Sequence, residues 1–116
     1  MRVRSLEKTE WQGYFDRMAK VLLGKRAEIE VASLKLGDQI EAEWGALLGV
    51  TYNPKDYVLE IAIDGLDRPV PKPRQVYANE VSAGLDGFEV IDNAGTRHIV
   101  RLREPLMLPA PSTAGR

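Results

Sequence analysis

Basic side chains in two segments are the residues of this sequence whose type and spacing point most directly to chemistry. Positions 97, 101 and 103 are arginines of one predicted strand, and their odd numbers place them on one face of it. A second basic run surrounds the prolines of "RPVPKPR" at 68–74. The six candidate residues for an anion or nucleic-acid patch are Arg68, Lys72, Arg74, Arg97, Arg101 and Arg103.

Two interpretations of these cations stay open. If the two segments are neighbours in the fold, the cations form a local patch that can meet phosphates, although the net charge of the chain is only -1. Alternatively, they pair with glutamates that face outward from adjacent strands. We favour the pairing, because the sequence provides as many facing acids as bases.

The segment "RPVPKPR" also bears on partners. Its prolines at 69, 71 and 73 predict an extended backbone that is at most an edge strand. Such a segment can dock in a groove or present a sheet edge to a protein partner or to a second copy. The alternative is that prolines and cations keep the edge from pairing with other sheets.

Residues for catalysis or metal binding are sparse. The one histidine, His98, lies in a predicted strand, without a G-x-S-x-G motif in the sequence, and we interpret it as a half-buried strand residue. Carboxylates such as Glu41, Glu43 and Glu60 can act as acid and base, but strand alternation places them on a solvated face. One histidine and no cysteine make a zinc site unlike the common ones, and no phosphate-binding loop or EF-hand motif is present. We therefore predict no catalytic residue, metal or cofactor.

The elements that must position these residues follow from hydrophobic periodicity. A helix is predicted from Thr9, which caps it together with Gln12, to the left-handed stop at Gly24. Its apolar stripe consists of Trp11, Phe15, Met18 and Leu22. After Gly24 the period changes to two, which predicts short strands with one wet face. The predicted inward residues are Ile29 and Val31, then Ile40, Ala42 and Trp44, then Leu48, Val50 and Tyr52, then Tyr57, Leu59, Ile61 and Ile63.

Two hairpin turns stand out. "NPKD" at 53–56 suits a corner, because Pro54 fixes φ and Asn53 can close an Asx turn. The alternative is that its last two residues form a ligand-contacting tip. In "DNAG" at 92–95, Asn93 and Gly95 suit positions of positive φ. We favour a structural role for both turns.

One helix followed by five to seven strands, with no β-α-β alternation, predicts an α+β fold. We expect an N-terminal helix packed on a bent antiparallel sheet, with closure into a small SH3-like or Sm-like barrel as the alternative. The 116 residues suit one domain, which we place at 9–108 between a flexible N-terminus (1–8) and a disordered tail (109–116). A charged fraction of 28%, no signal peptide and no long apolar run predict a soluble cytoplasmic protein without membrane contact.

The order and spacing of several segments resemble one family. They are "GDQIEAEWGALLGVTYNPKDYVLEIAI", "RPVPKPRQVYANE" and "GTRHIVRLREPLMLP". Together they resemble a small bacterial family designated DUF5335, from about Glu10 to Pro109. The resemblance implies a single bacterial domain that is mostly β, and it brings no activity, cofactor or catalytic residue.

Three functional hypotheses follow, in order of preference. The first is a non-enzymatic interaction module that binds a protein partner or self-associates through a strand edge. The second is a binder of RNA or single-stranded nucleic acid that uses the six cations. The third is an enzyme based on carboxylates.

Overall fold

The computed structural model describes residues 2–22, 24–33, 37–64, 66–81 and 84–107. This part of the chain contains one α-helix and eight strands. The elements are β1 (Arg2–Leu6), a 3₁₀ turn (Lys8–Glu10), α1 (Trp11–Leu22), β2 (Arg26–Ser33), β3 (Gly37–Asn53), β4 (Val58–Ile63), β5 (Leu66–Pro71), β6 (Pro73–Val81), β7 (Gly84–Asp92) and β8 (Arg97–Met107).

All eight strands form one antiparallel sheet in the order β1-β6-β7-β8-β2-β3-β4-β5. The long strand β3 pairs with β2 through its first half and with β4 through its second half. The sheet is open, because within the described residues β1 and β5 are its two edges. One helix on an antiparallel sheet agrees with the predicted α+β class, whereas closure into a barrel is not confirmed. The proline segment does supply the edge strand β5, as predicted.

The core lies between α1 and one face of the sheet, which we call the inner face. Trp11 packs edge-to-face on Tyr52 with ring centroids 5.2 Å apart, and Phe15 meets Phe88 at 5.1 Å. Both helix residues are almost fully buried, and burial of one such side chain stabilises the fold by about 2 kcal/mol. Met18 packs against the same core, so three members of the predicted stripe face inward. The side chain of the fourth, at position 22, lies outside the described residues.

The start of the helix differs from the prediction. Residues 2–6, which we expected to be flexible, form β1 and pair with β6. The cap is Glu7, whose N–H donates to Glu10 Oε2 at 2.9 Å, while Thr9 lies inside the 3₁₀ turn. Thr9 fits the local capping pattern, but the pair Glu7 and Glu10 forms the cap instead. Gly24 has a φ of +83°, as its predicted role requires, and the predicted tail at 109–116 lies outside the described residues.

Three predicted inward residues are exposed instead. A bulge between Leu47 and Gly49 moves Leu47 into the core and leaves Leu48 52% exposed. Ile40 lies opposite Glu30 on the other face of the sheet and is 50% exposed. Tyr57 precedes β4 and is 54% exposed. A single register shift exchanges faces, because side chains alternate along a strand.

Strands β6, β7, β8 and β2 expose their second face, which we call the outer face. It carries residues such as Tyr77, Glu89, Ile99 and Arg101, which alternate with buried residues of the inner face. No helix in the described part of the chain is long and apolar enough to cross a membrane.

Candidate anion-binding site

The predicted arginines of β8 are held by acids on neighbouring strands. Arg97 Nε lies 2.6 Å from Glu89 Oε2 on β7. Arg101 Nη1 lies 3.1 Å from Glu28 Oε1 and 2.6 Å from Glu30 Oε1, both on β2. The antiparallel register places Arg101 directly opposite Glu28. The cross-strand pairing favoured by the sequence is therefore present for both arginines.

Arg101 and the acids around it shift one another's pKa values. The hydrogen bond to Glu30 raises the pKa of Arg101 above its ordinary value. The carboxyl group of Asp38 and the guanidinium of Arg101 hold the pKa of Glu30 below its usual range, and the same contact with Glu30 raises the pKa of Asp38. The guanidinium of Arg101 is thus engaged by the protein itself. Arg103 is exposed further along β8, without an ion pair among the described residues.

The other predicted cations lie elsewhere. Arg68 is half-buried on the edge strand β5, opposite Ile61. Lys72 and Arg74 lie at the junction of β5 and β6, where they line a cavity of about 390 Å³. We call this cavity the basic corner. Its lining residues are Lys8, Tyr57, Lys72, Pro73, Arg74 and Asn93.

Three cations of the basic corner come from separate places in the chain and have no acidic partner. Lys8 belongs to the 3₁₀ turn, Lys72 precedes β6, and Arg74 lies within it. All three are exposed, and none forms an ion pair with any described residue. Lys8 Nζ lies 5.4 Å from the centre of the Tyr57 ring, a cation–π distance.

The "NPKD" turn leads into Tyr57, which forms one wall of the basic corner. Asn53 Oδ1 accepts a hydrogen bond from the Lys55 N–H at 2.9 Å, and Asn53 Nδ2 donates to Asp56 Oδ2 at 3.0 Å. This Asx turn confirms the structural prediction for residues 53–56. The chain then places Tyr57 beside the corner, with its carbonyl oxygen accepting the Lys72 N–H at 2.6 Å.

The backbone of this wall is strained. Tyr57 has a φ of +55° and Lys72 a φ of +51°, in the left-handed region that favours glycine. Two of the three non-glycine residues with positive φ in the described chain therefore line the basic corner. Such conformations cost about 1 kcal/mol or more each and occur preferentially at binding sites.

The second wall is the β7–β8 turn, which is stabilised by Asp92. Its carboxylate accepts hydrogen bonds from the N–H groups of Ala94 and Thr96 and lies 3.0 Å from His98 Nε2. Burial alone would raise the pKa of Asp92, but the hydrogen bonds outweigh it and lower that pKa. The turn places Asn93 in the lining of the corner.

This geometry corrects two predictions and supports others. Gly95 has a φ of +86°, as predicted, whereas Asn93 does not adopt positive φ. His98 is 3% exposed on the inner face, more deeply buried than the half-buried residue we predicted. Glu60 is exposed on β4, and the side chains of Glu41 and Glu43 lie outside the described residues. Among the residues described, no cluster of histidine and acidic side chains could hold a metal ion.

The arrangement of the basic corner suits an anion. Unpaired cations that share a concavity repel one another, so an anion between them is attracted by all three. Arginine can form two parallel hydrogen bonds with a phosphate or carboxylate, and lysine adds a point charge. The exposed ring of Tyr57 offers a flat apolar surface beside the charges.

Sequence reasoning missed Lys8, Tyr57 and Asn93 as members of this site. Lys8 fell in the segment expected to be flexible, and Tyr57 was assigned to an inward stripe. A backbone hydrogen bond joins Tyr57 to Lys72, and a cation–π contact places Lys8 over the Tyr57 ring. No local pattern reveals a contact of that kind.

Comparison with known proteins gives a family but no activity. The model of DUF5335, a family of unknown function, matches residues 2–111. An uncharacterized protein of Aquifex aeolicus (strain VF5) is 36% identical over 110 residues, which cover 94% of this chain and 99% of that protein. No solved structure matches the chain.

Proposed function

We propose a function for this chain, which belongs to the family of unknown function DUF5335, from the chemistry of its basic corner. The protein is a non-enzymatic binding module of the cytoplasm that holds a phosphate-bearing ligand in that cavity. The observation that carries this proposal is the convergence of Lys8, Lys72 and Arg74 without a carboxylate partner among the described residues.

The outer face provides the internal contrast for this argument. Arg97 and Arg101 are as basic as the residues of the corner, but their hydrogen-bonding capacity is directed at glutamates. An incoming phosphate would have to displace those carboxylates. At the basic corner it would displace only water, so the same charge gives a larger net gain.

The proposal is tested by the affinity for inorganic pyrophosphate, measured by calorimetry on the full chain. We expect the double variant Lys72→Gln with Arg74→Gln to weaken binding by at least about tenfold, since it removes two of three charges. The matched control is Lys55→Gln, which removes an exposed lysine of the adjacent turn that does not line the cavity. It should change the affinity by less than about twofold.

Equal weakening by the control and the double variant would mean that only general charge matters, and the proposal would then be wrong. Absence of pyrophosphate binding at low salt would also overturn it. A turnover activity that disappears with one point mutation would contradict the non-enzymatic part of the proposal.

Single-stranded nucleic acid is the second candidate, and the exposed ring of Tyr57 favours it because bases stack on aromatic side chains. In that case Tyr57→Leu should weaken binding of a short oligonucleotide by about tenfold while Tyr57→Phe leaves it unchanged. The logarithm of the affinity should fall linearly with the logarithm of salt concentration. Binding of pyrophosphate with no affinity for oligonucleotides would exclude this candidate.

A further inference from the structure

A second concavity lies on the outer face of the sheet, away from the residues of the basic corner. It has a volume of about 370 Å³ and crosses several strands, so we call it the outer groove. The residues that the argument uses are Val3 on β1, Trp44 on β3, Tyr77 and Asn79 on β6, Asp86 on β7 and Ile99 on β8.

Two irregularities of the sheet shape the outer groove. A Cβ atom at Gly87 would collide with the carbonyl oxygen of Val100, so β7 and β8 approach each other closely at the floor. The β7–β8 ladder also shifts register between Leu85 and Gly87, beside Asp86. Bulges of this kind redirect side chains and occur preferentially next to binding sites.

The aromatic end of the groove is strained as well. Trp44 has a φ of +54° and is the third non-glycine residue with positive φ in the described chain. A bulky aromatic residue rarely adopts this conformation, and here it contributes to the lining of the groove. Each of the three therefore lines a concavity: Trp44 lines the outer groove, and Tyr57 and Lys72 line the basic corner.

Two acceptor groups of the groove lack a hydrogen-bond donor among the described residues. The half-buried carboxylate of Asp86 has no partner among the described residues, and the buried Oδ1 of Asn79 receives no hydrogen bond there. An amide turns readily about its last side-chain bond, so this oxygen can be offered to a ligand without loss of an existing bond. Both acceptors lie on adjacent strands of the sheet.

The charged residues around the groove also favour a cationic ligand. Three charged residues line the groove, the carboxylates of Asp86 and Glu89 and the guanidinium of Arg101. The Arg101 guanidinium is already paired with Glu28 and Glu30. An additional positive charge would be attracted there, whereas a phosphate would be repelled.

We propose that the outer groove binds a small organic cation, an ammonium or guanidinium group attached to a short apolar body. The cationic group would pair with the Asp86 carboxylate, and one of its N–H groups would donate a hydrogen bond to Asn79 Oδ1. Val3, Tyr77 and Ile99 would contact the apolar body. Trp44 supplies the aromatic face with the strongest attraction for cations. This site is independent of the basic corner, because no residue lines both cavities.

The test compares two probes of the same shape, butylguanidinium and the neutral butylurea, by amide NMR titration of the full chain. We expect butylguanidinium to shift the amide signals of residues 77–79 and 86–88, and butylurea to bind at least about tenfold more weakly. Tryptophan fluorescence adds a second signal, because Trp44 is half-exposed while Trp11 is buried.

Variants locate the charge contact. Asp86→Asn keeps the shape and removes the charge, and it should weaken butylguanidinium binding by about tenfold. Asp67→Asn, an exposed acid on β5 outside the groove, is the control and should have less than about a twofold effect. Thermal unfolding of both variants verifies that each is folded.

Three outcomes would overturn the proposal. They are equal affinity for the two probes, an unchanged affinity in a folded Asp86→Asn variant, and binding of a lysine-rich peptide when butylguanidinium does not bind at millimolar concentration. The last result would assign the face to a protein partner. Loss of pyrophosphate binding with butylguanidinium binding intact would affect only the function proposed for the basic corner.

Discussion

The outer face of β8 and the basic corner contain the same kinds of side chain in opposite circumstances. On the outer face, the register places Arg101 beside Glu28 and Glu30, and its charge is neutralised within the sheet. At the corner, Lys72 and Arg74 lie where strand pairing gives way to turns and no glutamate is in register. The comparison teaches that strand register decides whether a cation supports the fold or is available to a ligand.

The comparison predicts that substitutions on the outer face reduce stability, whereas substitutions in the basic corner reduce binding. The largest expected effect is that of Gly87→Ala at the floor of the groove. The added Cβ meets the backbone of β8 at Val100, which cannot move aside cheaply, so we expect a loss of about 1–3 kcal/mol in the free energy of unfolding. Urea denaturation measures it.

Gly49→Ala is the matched control, because a Cβ atom there meets nothing within 4 Å. Its free energy of unfolding should change by less than about 1 kcal/mol. Equal effects of the two substitutions would show that the close approach at the groove is not a constraint.

The turn that joins the two regions gives the next largest effect. Asp92→Ala removes the acceptor for two N–H groups and for His98, and we expect it to cost about 1 kcal/mol, as the loss of a helix cap does. Because the folded state lowers the pKa of Asp92, its contribution is present above the unfolded pKa and is lost as pH falls through the folded pKa.

Asp92→Asn separates hydrogen bonding from titration in that turn. It keeps an acceptor but cannot ionise, so the loss of stability on acidification should be shallower than in the unmodified protein. Urea denaturation at a series of acidic pH values measures the slope. Identical slopes would show that Asp92 gains nothing from its ionised form.

A smaller effect is expected for the ion pair of the outer face. A double-mutant cycle with Arg101→Gln and Glu30→Gln should give a coupling free energy of up to about 1 kcal/mol, because the side chain of Arg101 is 47% exposed and solvent weakens the pair. A coupling indistinguishable from zero would remove the distinction between engaged and available cations.

The smallest effect on stability is expected at the basic corner. Lys72→Gln with Arg74→Gln should change the free energy of unfolding by less than about 0.5 kcal/mol, because neither side chain has a partner among the described residues. Relief of repulsion between the cations would make the change slightly favourable. A large loss of stability would mean that these cations have a structural role.

The sequence predicted the parts of this fold that depend on local pattern. Trp11 and Phe15 are buried as helix periodicity required, and the Asx turn at Asn53 needs only its own side chain. The outward placement of Leu48 was not predictable, because one bulge in β3 exchanges the two faces. β1 was missed because five residues gain their order from pairing with β6, far along the chain.

The candidate site was predictable only in part for the same reason. Lys72 and Arg74 were identified from their spacing, and their neighbours Lys8 and Tyr57 join them through contacts between turns. The alternation of β2, β7 and β8 predicted the outward acids that hold Arg97 and Arg101. Which of the two sets lacked partners depended on register, and register is a tertiary property.

The most direct test of the central claim is an amide NMR titration of the unmodified protein with inorganic pyrophosphate at low salt. The account predicts that signals of Lys8, Tyr57, Lys72 and Arg74 shift together, while those of β8 around Arg101 do not. Shifts confined to β8, with the basic corner unchanged, would contradict it.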